Sequence, residues 1–572
     1  MVTKKIIATI EARLASTRLP GKVLLPLGGK PVLQFLVERV KRSKFIDEII
    51  IATSSNIEND AIESLTKEIG IYCFRGSEDD VLRRVIEAAD SRKADIIVQL
   101  TGDCPLMDPE LIDECVSKYL DGGYDYVANE LVRTYPIGMD VAVFSLSLLK
   151  ETYLEKDLTE MDKEHVTTYI VERPIRYKLL NVRADKERDR PDLQLTLDTK
   201  EDYSILSSIV DSLYTKKSDF NLRDIIQFLD RHKEVSAINT EVKRKKKDIR
   251  KLSVGLIGLG KIASDYDSGI DGIEINSHTK AFLKNEFAEI VVVVDQEISK
   301  IQNFKMKWGL KPISFVGLDS FWASEIKLDL LSICSNTASH FEILKKAMER
   351  NIPYILCEKP ITDKEDELNE VVELSKKFNS KIIVNHILRW EPGIYSIKEK
   401  LKHEKIQKVV VFYAKGFLHN GIHVVDLSLY LFGSPKRIIK RKEHFDGFGY
   451  LNFDFDLVYD SFEISFFALD EEKFSIFEYS IYTDLGKFVI DELTSKIKYF
   501  SIIKHPNIEG YRYIGSKPEE IECLQFQSMK NVIDDVILGI RTGDESYFKS
   551  DLKTTLSTMN ILFDIMRTPC QN

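Results

Sequence analysis

Through the first 230 residues, short apolar runs alternate with segments whose apolar positions recur every three or four residues. Ile6–Ile10, Glu48–Thr53, Ile96–Leu100 and Tyr126–Ala128 read as strands, with helices between them over Pro31–Arg42 and Ile57–Ile69. Strand–helix alternation predicts a mostly parallel sheet covered on both faces, because each crossover returns a helix to the sheet. A second alternation opens at Leu252–Ile257 and continues through strands at Glu289–Asp295, Leu330–Ser335 and Tyr354–Cys357. From about residue 405 the period falls to two. Phe453, Phe455 and Leu457 alternate with Asp454 and Asp456, and Phe474, Ile476 and Phe477 through Ile481 extend the strand-rich stretch. That pattern predicts antiparallel strands with one solvated face. Helical spacing returns over Glu519–Ile540 and Ser550–Met566.

With 572 residues the chain has room for roughly three to four structural units. The two alternating regions are separated by residues 232–250, which carry Lys243-Arg244-Lys245-Lys246-Lys247 and read as a solvated, cationic linker. A net charge of −10 argues against coating nucleic acid, which calls for a basic face. No apolar run reaches the roughly 18 residues that span a bilayer. Met1 to Lys5 followed by Ile6–Ile10 imitates a leader, but Glu11 and Arg13 interrupt the apolar stretch at once, so a first strand fits better. Seven dispersed cysteines form neither a disulfide framework nor a zinc pattern. These features lead to the expectation of a reduced, cytoplasmic enzyme.

The opening strand runs into Glu11-Ala12-Arg13-Leu14-Ala15-Ser16-Thr17-Arg18-Leu19-Pro20-Gly21-Lys22. A loop at the carboxyl end of such a strand lies where open α/β sheets bind ligands. Arg13, Arg18 and Lys22 can neutralise a triphosphate, and backbone N–H groups near Gly21 can approach it. Ile96–Leu100 ends in Thr101-Gly102-Asp103-Cys104-Pro105-Leu106, and Leu195-Thr196-Leu197-Asp198-Thr199 offers a second carboxylate after an apolar run. Two carboxylates beside a triphosphate suit oxygen-seeking Mg²⁺, which would offset α-phosphate charge during in-line attack and pyrophosphate departure.

Those three segments resemble the cytidylyltransferases of surface-sugar synthesis, a family that includes the acidic-sugar CMP-synthetases. Arg75-Gly76-Ser77-Glu78-Asp79-Asp80-Val81-Leu82 and Glu164-His165-Val166-Thr167 are most similar to its spore-coat polysaccharide F-type branch. The resemblance covers about residues 1–230. It implies CTP as donor, Mg²⁺ at Asp103 and Asp198, and a nucleotide loop of Ala12, Arg13, Ser16, Arg18 and Lys22, with Arg13 and Lys22 catalytic. Asp79 and Asp80 are also read as helix caps. His165 serves either substrate positioning or packing, and Asp140, after Tyr135-Pro136-Ile137-Gly138, either the acceptor site or a turn.

Leu252–Ile257 runs into Gly258-Leu259-Gly260-Lys261-Ile262-Ala263, a G-x-G-x-x-A pattern. Gly258 permits the tight turn, Gly260 the approach of a pyrophosphate, and Ala263 close helix–strand packing. The pattern follows a strand and opens a βαβ unit, the context that gives it meaning. Asp295 ends the next strong strand, where a carboxylate accepts from ribose hydroxyls and repels a 2′-phosphate, so NAD is favoured over NADP. An insertion around Asp265–Ile275 lengthens the spacing to it. Cys357-Glu358-Lys359-Pro360 follows a strand, and Phe417 to Asp426 enters a helix through His419 and His423. Hydride transfer at a carbinol needs a group for the hydroxyl proton and a cation for the oxygen, which a histidine and a lysine supply.

The order of these elements is similar to the Gfo/Idh/MocA oxidoreductases over about 251–568. The matching parts include the glycine loop, Glu-Lys-Pro, Arg389-Trp390-Glu391-Pro392, Gly421-Ile422-His423-Val424-Val425-Asp426-Leu427, and the helical Val532–Gly543 and Asp551–Ile565. The resemblance implies Lys359 and His423 as the catalytic pair, Gly258, Gly260, Ala263, Asp295 and Glu358 as cofactor contacts, and a broad sheet as substrate and oligomer face. The family often has Asp four residues before that His, where this chain has His419. His419 and His423 would share a helical face at a spacing that can chelate zinc, but no third ligand accompanies them. His278 and His386 read as packing or substrate-contact residues.

The expected fold class is therefore α/β. A nucleotide-diphospho-sugar-transferase-like, Rossmann-type domain (1–232) and a basic linker (233–250) precede an NAD(P)-binding Rossmann domain (251–385). An α+β domain with a large antiparallel sheet (386–572) completes it. The expected function is bifunctional: CMP transfer from CTP to a sugar or sugar/polyol phosphate, and NAD(P)-dependent oxidation or reduction of the sugar. The alternative is one catalytic half joined to a nucleotide-sensing module. Partners are expected to be small molecules and further copies of the chain, not nucleic acid or membrane.

Overall fold

The computed structural model describes residues 4–16, 18–174, 176–240, 242, 250–491, 496–523 and 527–570. The Lys243–Lys247 run and Thr17 lie outside the described residues. Contacts divide the chain into two compact units, one of Met1–Ile249 with Leu538–Glu545, the other of Arg250–Ile537 with Ser546–Asn572.

In the first unit the strands of the main sheet are β1 (Ile6–Glu11), β2 (Glu48–Ser54), β3 (Tyr72–Gly76), β4 (Ile96–Thr101), β5 (Tyr126–Ala128), β6 (Ala142–Ser145) and β7 (Leu179–Asn181). Their order is β3-β2-β1-β4-β6-β5-β7. β1 is central and parallel to β2 and β4, which is why it is apolar on both faces. Ile6, Ala8 and Ile10 enter a core with Val32 and Leu36, whereas Ile7 faces the opposite way toward Leu82 and Val85. The mostly parallel sheet is as expected, with β6 antiparallel to both β4 and β5. Because Glu11 pairs with Thr101, the loops after β1 and β4 leave the same edge side by side.

The second unit contains two sheets. The first is wholly parallel, from β8 (Leu252–Ile257), β9 (Ala288–Asp295), β10 (Ile313–Val316), β11 (Leu330–Ile333), β12 (Tyr354–Cys357) and β13 (Lys381–Val384), in the order β10-β9-β8-β11-β12-β13. The glycine loop leaves β8 between β9 and β11, beside the ends of both.

The larger sheet comprises β14 (Ile406–Tyr413), β15 (Arg437–Phe445), β16 (Leu451–Val458), β17 (Glu463–Ala468), β18 (Phe477–Thr483), β19 (Gly486–Asp491), β20 (Lys496–Lys504), β21 (Arg512–Ile514) and β22 (Glu519–Glu522). Its order is β15-β16-β17-β14-β18-β19-β20-β21, with β22 also on β20. Phe453, Phe455 and Leu457 are buried as their alternation predicts, and Asp454 and Asp456 lie on the wetter face. The sheet is antiparallel as expected apart from one pair, β14 and β17, which run parallel after the helix Ile422–Phe432 and the β15–β16 hairpin carry the chain back. One expectation is corrected. Glu519–Glu522 is a strand rather than the start of a helix, because pairing with Lys496–Tyr499 satisfies its backbone. The helix begins only at Ser528 and runs to Thr542.

The Arg-Trp-Glu-Pro and Gly-Ile-His segments prove to be structurally linked. Arg389 donates two hydrogen bonds to Asp426, both 2.9 Å, and Thr558 adds a third at 2.8 Å. Phe417 packs edge-on against Phe453 and Phe455, with ring centroids 4.8 and 5.8 Å apart, which seats the segment leading to His423 on the sheet. All seven cysteines are free. Among the described residues no helix is long and apolar enough to cross a membrane.

Candidate active sites

In the first unit the loop after β1 turns through Gly21 into a short 3-10 segment, Lys22–Leu24. This points Lys22 back across the strand ends. Its Nζ lies 2.7 Å from Asp103 Oδ2 and 2.9 Å from Asp198 Oδ1, and Arg18 reaches Asp198 Oδ2 at 3.0 Å. Backbone geometry holds the carboxylates together: the Leu197 N–H donates to the Asp103 carbonyl at 2.8 Å, so Asp198 is delivered beside Asp103. Thr199 then caps the helix Lys200–Leu213 in a reciprocal box with Asp202, fixing where that segment turns. Burial alone would depress the Lys22 ammonium, but Asp103 and Asp198 outweigh it and hold its pKa above the ordinary lysine value.

Other expected residues fall around this centre. Ala12 is buried, and the Ser16 hydroxyl accepts from the Leu19 N–H at 3.3 Å, bracing the loop. Arg13 turns to Glu78, 3.1 Å away, rather than to either carboxylate. Asp80 caps the helix Val81–Ser91 by accepting from the Arg83 N–H. Asp140 is held by Arg133 at 2.6 and 3.1 Å, and His165 is exposed at the end of the helix Glu160–Glu164. Sequence reasoning passed over Glu11, which it treated only as the end of an apolar run. Its carboxyl accepts from Gln99 at 2.9 Å, and burial pushes its pKa up to about 7 despite Gln99 and Arg84. A charged residue closing a central parallel strand was the available signal.

No group of three or more His, Cys, Asp or Glu side chains able to hold a metal occurs among the described residues. Mg²⁺ does not need one, since it keeps waters and takes substrate phosphate oxygens beside one or two carboxylates. Asp103 and Asp198 already converge on a single cationic atom, Lys22 Nζ, so the donor set fits a hard divalent ion bound with a triphosphate.

In the second unit Gly258 has φ +83°, and a Cβ there would lie 2.7 Å from the Ser335 backbone. Gly260 differs: a Cβ there would meet nothing within 4 Å, leaving the open approach a pyrophosphate needs. Ala263 is fully buried. Asp295 accepts from the Leu259 N–H at 2.8 Å through one oxygen and from the Glu297 N–H at 2.9 Å through the other, so it braces the glycine loop from the end of β9. Loop, space and terminal carboxylate together fit a dinucleotide.

Lys359 follows β12, and its Nζ donates to the His419 carbonyl at 2.9 Å, so this position contributes a backbone oxygen to the lysine. Burial, then the Lys359 charge, lowers the pKa of both histidines, His419 to about 4 and His423 well below the ordinary histidine value. The two rings are therefore neutral near pH 7. Glu358 is buried, accepting from His278 at 2.8 Å and Asn385 at 2.6 Å. His278 also meets the Ser332 hydroxyl at 2.9 Å. Burial opposes its charge, yet Cys334 and Glu358 raise its pKa to about 10. His386 is buried with neither ring nitrogen hydrogen-bonded, as a packing residue would be. A cavity of about 400 Å³ opens at His423 and Asn420 and reaches Ile262 and Tyr266 of the turn after the glycine loop.

These geometries define two enzyme classes in one chain, a nucleotidyltransferase and a dinucleotide-dependent oxidoreductase. Residues 7–232 match the cytidylyltransferase family, and 252–386 match the oxidoreductase family with an NAD-binding Rossmann fold. An uncharacterized protein of Methanocaldococcus jannaschii is 36% identical over 241 residues, 42% of this chain and 97% of that protein. The spore coat polysaccharide biosynthesis protein SpsF of Bacillus subtilis is 36% identical over 238 residues, covering 40% and 96%. A putative oxidoreductase structure from Magnetospirillum magnetotacticum MS-1 aligns with a TM-score of 0.44 at 16% identity, covering 56% of this chain and all of that one. The chain belongs to the cytidylyltransferase family through its first unit, fused to an oxidoreductase-family domain of the NAD-binding Rossmann type.

Proposed function

We propose that the chain is a bifunctional enzyme of surface-polysaccharide sugar biosynthesis. Its first unit transfers CMP from CTP to a sugar or a sugar/polyol phosphate, and its second oxidises or reduces the sugar moiety with NAD. The observation that carries the first assignment is the convergence of Lys22, Arg18, Asp103 and Asp198, contributed by three separate segments. In this reading Lys22 and Arg18 leave the carboxylates for the triphosphate and stabilise its charge as pyrophosphate departs. Asp103 and Asp198 would hold Mg²⁺, which supplies Lewis-acid stabilisation of the phosphoryl oxygens. Arg13, now paired with Glu78, would exchange that partner for a phosphate. The likeness to the spore coat polysaccharide biosynthesis protein of B. subtilis supports the polysaccharide context.

In the second unit Gly258, Gly260 and Ala263 would seat the pyrophosphate, and Asp295 the ribose hydroxyls. NAD accepts or gives the hydride when bound. Neutral His423 would take the hydroxyl proton as a carbinol is oxidised, or return it on reduction, while Lys359 steadies the oxygen. A second reading, in which this unit only senses dinucleotide, is favoured by one observation. Among the described residues no carboxylate is hydrogen-bonded to His423.

The test is to follow pyrophosphate release from CTP with Mg²⁺, and absorbance of reduced cofactor, over one panel of sugars, sugar phosphates and polyol phosphates. Asp103→Asn should abolish the first signal and Lys359→Ala the second, each leaving the other intact. Cytidine product from Asp103→Asn at the wild-type rate would sink the transferase assignment. NAD binding without hydride transfer to any compound would favour the sensing module.

A further inference from the structure

Arg39, on the helix Val32–Val40 of the first unit, is only 3% exposed. Two neighbours fix its guanidinium: Nε donates to the Met107 carbonyl at 2.9 Å, and the plane lies over the Phe220 ring, 4.5 Å from its centroid. Met107 immediately precedes Asp108, which caps the helix Pro109–Leu120, and Phe220 precedes Asn221, which caps the helix Leu222–Arg231. Asp108 ties the two helix starts together, accepting from the Glu110 N–H at 3.0 Å and from the Leu222 N–H at 2.7 Å. Arg39 therefore points into the corner where two helices begin, each presenting the positive end of its backbone dipole. Neither terminal nitrogen of Arg39 has a hydrogen-bond partner among the described residues, and Nε and Nη2 of Arg42, three residues on, are likewise buried without one. Stacking on Phe220 serves the face of the Arg39 guanidinium and leaves its in-plane N–H groups unpaired. Burial, then the like charge of Arg42, lowers the Arg39 pKa to about 9 against the opposing Asp108, so the group is still cationic near pH 7.

We propose that Arg39 and Arg42 bind a small inorganic anion, of the size and charge of chloride, in this corner of the first unit. Two guanidinium groups set against the Asp108 carboxylate leave one positive charge, which a monovalent anion neutralises. The edge of a guanidinium donates two parallel N–H groups, and helix starts favour negative charge beside them. Leaving charged donors buried and unpaired is costly, and an anion is the partner that relieves both arginines at once. The nitrogens are closed off by the surrounding side chains, which suits a monatomic ion, needing little more room than a water, over a phosphate or a nucleotide. The site is separate from the catalytic centre, since none of Arg18, Lys22, Asp103 and Asp198 contributes to it. It nevertheless supports that centre, because the Met107 carbonyl held by Arg39 belongs to the segment that carries Asp103 into the helix Pro109–Leu120.

The experiment uses the full chain exchanged into sodium gluconate, whose anion is too bulky for the corner. Chloride, bromide and phosphate are titrated in at constant ionic strength while thermal unfolding is followed by calorimetry. Chloride and bromide should raise the unfolding midpoint saturably, by about 3 °C or more, and phosphate should not. Crystals grown in bromide should show an anomalous peak within hydrogen-bond reach of the Arg39 terminal nitrogens. Arg39→Met should abolish the halide response, yet in gluconate it should unfold no lower than wild type, because a buried unpaired charge has gone. Arg42→Met, at a less buried position, should weaken the halide response and keeps the test open if Arg39→Met does not fold. A wild-type protein without a saturable halide response would overturn the proposal. So would a response that both variants retain, or one given by phosphate alone.

Discussion

Lys22 meets Asp198 at 2.9 Å although 176 positions separate them along the chain, and the same ammonium meets Asp103 at 2.7 Å. One ammonium thus offsets part of the charge of two carboxylates that would otherwise repel each other at the sheet edge, and Arg18 on Asp198 supplies a second positive charge. The arrangement is a poised one, because a triphosphate arriving with a metal gives Lys22 a new anionic partner as the metal takes its old ones.

Replacing either carboxylate by its amide keeps the shape and removes the charge. Asp198→Asn and Asp103→Asn should each lower pyrophosphate release by about 100-fold or more, the scale of losing one group that stabilises developing charge. NAD affinity should not change, and thermal unfolding should move little, because both side chains are partly exposed.

Lys22→Met separates the two roles of the lysine. With the competing ammonium gone, Mn²⁺ titrated into CTP-free protein should bind more tightly than to wild type, as read by paramagnetic resonance. CTP affinity and transfer should both fall. Unchanged Mn²⁺ affinity would show that Lys22 and the metal do not share the carboxylates.

The two glycines of the dinucleotide loop should fail differently. Gly258→Ala places a Cβ against the Ser335 backbone at a positive φ and should cost about 1–3 kcal/mol in unfolding of the second unit. Gly260→Val enters open space in an extended conformation and should leave stability nearly unchanged. Its NAD affinity should drop at least about ten-fold, since the side chain takes the place of the pyrophosphate.

Asp295→Ser should weaken NAD and relax its advantage over NADP, by about ten-fold in the ratio of kcat/KM values, as a repulsive charge is removed from the ribose site. Part of the NAD loss reflects the glycine loop, which Asp295 braces through the Leu259 N–H. A wild-type preference for NADP would contradict the role given to this carboxylate.

The His278–Glu358 pair makes stability depend on pH in a defined direction. The folded pKa of His278, about 10, lies above the ordinary value of 6.5. Its contribution is therefore fully present below about pH 6.5 and is lost as pH rises through about 10. Glu358 is lowered, so its contribution is lost instead as pH falls below the usual carboxylate range. Urea unfolding of the NAD-responsive transition at pH 6, 8 and 10 should show the alkaline decline, and His278→Gln should flatten it. Removing one partner of this buried pair should cost about 3–5 kcal/mol.

Apolar period and glycine placement are local properties, so the chain order alone determined that two α/β patterns precede a strand-rich region. It also determined that a basic loop follows β1 and that a dinucleotide loop follows Leu252–Ile257. Strand ends in such sheets face ligands by rule, which made Asp103, Gly258, Gly260 and Asp295 legible in the chain, while Lys22 and Asp198 came from the basic loop after β1 and the resemblance of the Leu-Asp-Thr element. What the pattern could not carry was pairing across distance. The parallel β14–β17 contact, the strand at Glu519–Glu522 and the Arg389–Asp426 bridge depend on which segments meet. A period of two is the same in parallel and antiparallel strands. Nor could it separate the fates of neighbouring charges: Arg18 joins Asp198, Arg13 goes to Glu78, and Glu358 turns inward to His278. Those outcomes were decided by tertiary structure, because burial and the nearest opposite charge, neither visible in a linear sequence, select each ionic partner.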